Sequence, residues 1–333
     1  MNTTSEPKIV KKNDHVCQAT PVFTPTSKLP LQPPPLTPKI AASQYNQSLH
    51  TVSVKVNPDN IITPACEKQF RATLKDFDDV FNPVFSKYNQ SLGPFKAVVN
   101  MGDVKPPQRK GRLPQYSRNR LVELQAEMDK LEELGVLAVP ENLNVTVEYL
   151  NPSFLVKKTD GSWRFVTAFN EVGKYCKPQP SLMPNVDSTL RTIGQWKLLI
   201  KTDLTKAFFQ IPLSDESLKY CGVTPYKGVR VYTRCAMGMP GSETALEQLM
   251  CRIVGSLVEE GYVAKIADDL YCGGNSETEL LDNWKRVLAL LQEAGIKLSA
   301  SKTVIAPRET TILGWVWRQG TIKASPHKIA PLS

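Results

Sequence analysis

Tyr262-Val263-Ala264-Lys265-Ile266-Ala267-Asp268-Asp269-Leu270-Tyr271-Cys272-Gly273-Gly274 is the stretch on which the fold turns. Its first half favours extended chain, Leu270 to Cys272 resume that character beyond the two acids, and a glycine pair closes it. The pattern predicts a β-hairpin whose tight bend carries both carboxylates. A helix is predicted on each side. Before the hairpin, Leu246, Leu249, Met250, Ile253, Val254, Leu257 and Val258 recur at i, i+3, i+4, i+7 spacing, with Ser242 as N-cap and Glu243 suited to the positive end of the macrodipole. After it, Ser276-Glu277-Thr278-Glu279 reads as a capping box. Leu280, Leu281, Trp284, Val287, Leu288 and Leu291 then face inward, and Gly295 closes the helix.

Further upstream, the apolar run Leu198-Leu199-Ile200-Lys201-Thr202 reads as a strand ending at Asp203. From Pro140 onward, short β-rich pieces alternate with turn residues: Ser153 to Val156, Gly161-Ser162, and Trp163 to Val166. Strands alternating with helices, and acids at a strand end and a hairpin tip, suit one chemistry in particular. Phosphoryl transfer onto a 3′-hydroxyl requires little of a protein beyond holding two hard cations, and such cations take carboxylate oxygens. Asp203, Asp268 and Asp269 would repel one another if unpaired, so a shared cation gives a reason to gather them. Taken alone, an Asp-Asp dipeptide is an ordinary exposed turn.

Composition narrows the field. No apolar run reaches the ~18 residues needed to span a bilayer, and the N-terminus is too polar for a signal peptide. Seven cysteines without a Cys-x-x-Cys pair suggest neither a disulfide framework nor a zinc site, which predicts reduced thiols inside the cell. A net charge of +9 favours polyanionic partners, although surplus lysine can also simply solvate a surface. Residues 1–64, rich in Pro, Thr, Ser and Gln, predict a disordered leader. Aromatic residues return between Ala65 and Phe95. A basic strap then follows, with Lys105, Arg109, Lys110, Arg112, Arg118 and Arg120 and no acid among them. It leads into an amphipathic helix through Leu121, Leu124, Met128 and Leu131, ending at Gly135. The strap also reads as a solvated charge run.

Over roughly residues 105–330 the chain resembles the polymerase domain of reverse transcriptases from gypsy-type LTR retrotransposons. Several segments carry the resemblance, in order. Lys157-Lys158-Thr159-Asp160-Gly161-Ser162-Trp163-Arg164-Phe165 looks like the fingers hairpin, and Lys201-Thr202-Asp203-Leu204-Thr205-Lys206-Ala207-Phe208-Phe209-Gln210-Ile211-Pro212-Leu213 like the first catalytic motif. Ala236-Met237-Gly238-Met239-Pro240-Gly241-Ser242 stands where the family has a Pro-Phe-Gly-Leu-like segment. Ile266-Ala267-Asp268-Asp269-Leu270 stands where it has a Tyr-x-Asp-Asp box. Leu298 to Lys302 and Leu313-Gly314-Trp315 look like the downstream lysine motif and the primer-gripping turn.

The resemblance implies an α+β fold: a right-hand polymerase palm, its antiparallel sheet backed by helices, with β-rich fingers behind a disordered N-terminal segment. Residues 1–64 are then the leader, 65–145 the lead-in with strap and helix, and 146–333 the fingers and palm, ending near the primer grip. It implies RNA-directed DNA polymerase activity with two Mg²⁺ ions, or Mn²⁺ in their place, on Asp203, Asp268 and Asp269. Lys157, Lys158, Arg164, Phe208, Gly238 and Lys302 fall at dNTP-binding positions. Arg164 and a neighbouring lysine would meet the triphosphate, Phe208 would exclude a ribose 2′-OH, Gly238 would allow close approach, and Lys302 would protonate or bind pyrophosphate. Leu313, Gly314 and Trp315 would grip the primer, and Arg109, Lys110, Arg112, Arg118 and Arg120 would bind nucleic acid. The implied partners are an RNA or DNA template with primer, dNTPs and other parts of a Pol polyprotein. No membrane is expected, and the setting is the cytoplasm or a virus-like particle.

The chain departs from the family at Ile266, which replaces the usual Tyr, and at Val166-Thr167-Ala168-Phe169-Asn170, which replaces an Asp-Tyr-Arg-like run. It shows no Asp-Ser/Thr-Gly protease signature and no zinc knuckle, and it stops before a full thumb or RNase H would fit, as a piece of a polyprotein would. A non-catalytic nucleic-acid-binding remnant and a two-metal nuclease are the alternative readings.

Overall fold

The computed structural model describes residues 49–104, 116–158, 161, 163–180, 182, 185–224 and 227–325. The first elements are β1 (Lys55–Val56), α1 (Pro64–Asp76), α2 (Arg118–Glu133), β2 (Leu137–Ala138), β3 (Leu150–Asn151), β4 (Ser153–Lys157) and β5 (Trp163–Thr167). Next come α3 (Asn170–Gly173), α4 (Val186–Gly194), β6 (Leu198–Asp203), α5 (Asp215–Leu218), β7 (Gly222–Val223), β8 (Arg230–Tyr232) and α6 (Ser242–Glu259). The last are β9 (Val263–Ile266), β10 (Asp269–Gly274), α7 (Glu277–Ala294), β11 (Val304–Ile305), β12 (Glu309–Ile312), β13 (Trp315–Arg318) and β14 (Thr321–Ala324).

The central sheet runs β1-β11-β6-β10-β9 and is antiparallel except at the β1–β11 edge. Alternation along β6 and β10 sends residues to two different layers. Ile200, Leu270, Cys272 and Val263 join the main core with α6 and α7, where Leu246, Leu249, Ile253, Leu280, Trp284 and Leu288 are buried. On the other face Leu199, Ala264, Ile266 and Tyr271 pack with Leu190, Ile193 and Trp196 and with Ile312 and Trp317 of the separate β12-β13-β14 sheet. A sheet buried on both faces explains why β6 and β9 read as nearly continuous apolar runs. The remaining strands form a β2-β8-β7-β3 sheet and the β4–β5 hairpin. The mixed α+β architecture is the expected one.

Two local expectations change. The leader was placed at 1–64, yet residues 49–64 are structured: β1 pairs with β11, and Thr51 donates through N (2.9 Å) and Oγ1 (2.7 Å) to Asp78 Oδ1. Residues 1–48 lie outside the described residues, as do Arg109, Lys110 and Arg112 of the strap. Helix α6 is capped by Gly241 at φ +81° rather than by Ser242, which is its first helical residue. The capping box of α7 is present with a shift of one residue. Ser276 Oγ accepts from Glu279 N at 3.1 Å, and Glu279 Oε2 accepts from Asn275 N at 2.5 Å. No described helix is long and apolar enough to cross a membrane.

Candidate active site

Asp203 and Asp269 are direct cross-strand partners at the end of the β6–β10 ladder. Side chains directly opposite each other on antiparallel strands share a face, with Cβ atoms about 4.5–5.5 Å apart, so the pairing itself brings these carboxylates together. Asp268 stands one residue earlier, exposed in the two-residue loop that joins Ile266 to Asp269. Ala267, the other loop residue, has φ +52°, a left-handed backbone that costs a residue with a Cβ about 1–2 kcal/mol.

Asp203 is only 6% exposed, and its carboxyl sits above the usual aspartate range. Burial is the main cause, the Lys302 ammonium pulls the other way, and the charges of Asp269 and Asp268 add to the rise. Asp203 therefore feels both of the other acids. Lys302 pairs with Asp203 Oδ2, while Asp203 Oδ1 is buried and accepts no hydrogen bond from any described residue. A buried carboxylate oxygen without a partner, facing a second carboxylate, suits a hard cation. Among the described residues, no three His, Cys, Asp or Glu side chains are already gathered as a cage. Lysines instead hold the acids: Lys201 Nζ lies 3.3 Å from Asp269 Oδ2, and the buried Tyr271 hydroxyl donates to the same oxygen at 3.2 Å.

The chain after α7 locks this arrangement from below. Ser299 N donates to Asp203 O at 2.8 Å and Thr205 N to Lys297 O at 3.0 Å, which sets the short helical turn at Ala300–Lys302 beside Asp203. Gln210, buried in the motif after Asp203, clamps the same junction. It donates to Thr205 O (2.7 Å) and Lys297 O (3.0 Å) and accepts from Lys297 N (2.7 Å). Phe208 is half-buried against the main core.

Gly238, at φ +76°, has nothing within 4 Å of the place a Cβ would occupy. It lines a cavity of about 300 Å³ with Met239, Glu243, Thr244 and Glu247. In the β4–β5 hairpin, Lys157 pairs with Trp163 and Arg164 with Val156. Alternation thus puts Lys157 and Arg164 on opposite faces, which leaves exposed Lys158, the next residue along, as the lysine better placed to act with Arg164. Arg118 is exposed in the first turn of α2, whereas the Arg120 guanidinium lies 5.3 Å from the Trp163 ring centroid and so braces the hairpin. The departure at Val166 to Asn170 forms the hairpin's root. Thr167 Oγ1 lies 2.9 Å from Ser153 Oγ and 2.8 Å from Tyr232 Oη, and Phe169 packs on the Tyr232 ring. Leu313 and Gly314, both at positive φ (48° and 76°), form the tight turn between β12 and β13. Trp315 opens the following strand.

The site includes residues the motif reading did not single out for it: Lys201, Gln210, Tyr271, and the buried pair Lys265 and Glu247. Lys201 and Lys265 were discernible as lone charges inside apolar strands. Nothing in the sequence signals the partners they find.

Residues 156–317 match the family model described as reverse transcriptase (RNA-dependent DNA polymerase). The chain is 26% identical over 220 residues to the retrovirus-related Pol polyprotein from transposon 297 of Drosophila melanogaster, an alignment that covers 65% of this chain and 20% of the relative. It is similar in fold to the foamy viral protease-reverse transcriptase dRH in complex with dsDNA (TM-score 0.68, 21% identity, 80% of this chain and 45% of that one). The foamy viral protease-reverse transcriptase in complex with RNA/DNA hybrid gives TM-score 0.68 and 21% identity over 80% of this chain and 35% of that one. The chain spans between a fifth and three-tenths of the length of the curated Pol relatives it matches first.

Proposed function

We propose that this chain, which carries a reverse transcriptase domain of the kind found in retrotransposon and retroviral Pol polyproteins, works as the fingers and palm of an RNA-directed DNA polymerase. It would add deoxynucleotides to a primer 3′-OH with release of pyrophosphate. The observation that carries this is the pairing of Asp203 with Asp269 beside an unpartnered buried carboxylate oxygen. Asp203, Asp268 and Asp269 would hold Mg²⁺, or Mn²⁺ in its place, which would supply positive charge for the 3′-oxygen and the departing pyrophosphate.

The chain's own residues do the rest. Lys302 pairs with Asp203 and Lys201 with Asp269, and Lys302, whose side chain is 67% exposed, has the freedom to turn to the pyrophosphate. Lys158 and Arg164 meet the triphosphate at the fingers, Arg164 through its planar fork, with Lys157 contributing from the other face. Phe208 would lie under the sugar, and Gly238, with open space where a Cβ would stand, would allow close backbone approach. Leu313, Gly314 and Trp315 hold the primer end, while Arg118 and Arg120, with Arg109, Lys110 and Arg112 ahead of them, bind backbone phosphates. The partners are a primed RNA or DNA template and dNTPs. The order of the motifs supports a gypsy-type origin within a larger polyprotein, with residues 65–145 as lead-in and 146–333 as polymerase body. Free thiols at six described cysteines support a reducing, intracellular setting, in the cytoplasm or a virus-like particle.

Extension of oligo(dT) on poly(rA) by the purified chain, abolished by Asp268→Asn with duplex binding retained, is the expected result. The lysine-held acids favour one other reading, a nucleic-acid-binding remnant without turnover. Duplex binding with no extension in either Mg²⁺ or Mn²⁺ would establish the remnant instead.

A further inference from the structure

Lys265 and Glu247 are each only 7% exposed and pair with each other between β9 and the second turn of α6. A buried charge pair is a weak source of stability, since desolvation consumes most of its attraction, and apolar residues of similar volume often serve as well. What this pair reaches is more specific. Lys265 Nζ also donates, at 2.6 Å, to the carbonyl oxygen of Ala267, the residue in left-handed backbone immediately before Asp268 and Asp269. One ammonium therefore connects the strained hairpin loop to a rigid helix. Glu247 in turn lines the cavity beside Gly238.

We propose that Lys265 is a positioning residue: held by Glu247, it anchors the Ala267 carbonyl and so fixes where Asp268 and Asp269 point. The inference rests on the polymerase reading above only for the role of those acids. Lys265 touches neither substrate nor metal, and it acts through the loop backbone. Unanchored, a two-residue loop with a non-glycine residue at positive φ can relax, and the carboxylates it carries lose their alignment. Partners that orient metal-binding groups from behind typically cost 10–100-fold in metal affinity when removed.

The test is Mn²⁺ binding by the full chain with primer–template present, read by electron paramagnetic resonance, alongside thermal unfolding and primer extension. Lys265→Met/Glu247→Leu replaces the pair with apolar residues of similar size. It is expected to keep the unfolding temperature and duplex affinity while weakening Mn²⁺ binding roughly tenfold or more. Glu247→Gln, whose amide oxygen can still accept from Lys265 Nζ and so keep the bond to Ala267 O, is expected to bind Mn²⁺ within about twofold of the unmodified chain, while a lower unfolding temperature reports the lost counter-charge. Should the apolar pair not fold, Lys265→Gln in the Glu247→Gln background, with a donor on a shorter stem, should bind Mn²⁺ more weakly than Glu247→Gln alone. Equal Mn²⁺ affinity across all variants that fold would overturn the positioning role even if extension is intact. A chain that never extends primers, yet loses Mn²⁺ affinity in these variants as described, would overturn the polymerase reading and leave the anchor standing.

Discussion

Asp203 bears its charge where water barely reaches, and the sign of the consequence follows from linkage. Its folded carboxyl holds a proton more tightly than the unfolded one. Between the ordinary aspartate pKa and the raised value the native state therefore binds more protons, and stability falls as pH rises through that window. Above the window the cost is complete, and below the ordinary range it is gone. Asp203→Asn should accordingly raise the unfolding temperature of the metal-free chain at neutral pH, each kcal/mol recovered being worth about 2–4 °C for a chain of this size. The gain should shrink toward pH ~4. Scanning fluorimetry with a chelator at both pH values checks this, and the same variant should not extend primers. An unfolding temperature at neutral pH no higher than that of the unmodified chain would contradict the account. Gly273 makes a second residue-scale case. A Cβ there would fall 1.8 Å from the Trp196 indole, whose Nε1 is committed to Gly261 O at 2.9 Å. Gly273→Ala should cost about 1–3 kcal/mol in a urea melt, as overpacking does.

Among the elements, the β12–β13 turn carries the clearest sign of compromise. Positive φ at both central residues matches the twist of a hairpin, but such a turn prefers Asn or Gly at its first position, and here Leu313 occupies it while 56% exposed. Leu313→Gly should stabilise the chain by about 1 kcal/mol. It should also reduce extension efficiency without changing Mn²⁺ affinity. Unchanged extension by this variant would remove Leu313 from the primer-gripping role.

The elements also show what sequence reading can reach. Helices α6 and α7 and the β9–β10 hairpin were legible because their periodicity is local and long enough to stand out. β1 was not. Val52, Val54 and Val56 alternate, but the run is short, it follows a long Pro-, Ser- and Gln-rich stretch, and the pairing that orders Lys55 and Val56 comes from Val304 and Ile305. The three acids were legible as types at strand ends. Their lysine partners, the Gln210 clamp and the Lys265–Glu247 pair were not, since each depends on contacts distant in sequence.

For the whole molecule, a charge of +9 concentrated on strap and fingers predicts duplex binding governed by counterion release, with the logarithm of affinity falling linearly with the logarithm of salt. Arg118→Ala, at an exposed position in the first turn of α2, should lower the magnitude of that slope by about one and weaken all sequences alike, as a phosphate contact does. An unchanged slope would place Arg118 away from the nucleic acid.

The parallel edge of the central sheet bears on how such a chain is born. Its outermost strand, at residues 55–56, leaves the ribosome well ahead of its partner at 304–305. Until then the early strand has nothing to dock on, whereas the acid-bearing ladder between β6 and β10 can already zip. The nascent polypeptide thus builds its carboxylate pair before Lys302 arrives to neutralise it, and closure of the sheet and quenching of that charge happen in one late step.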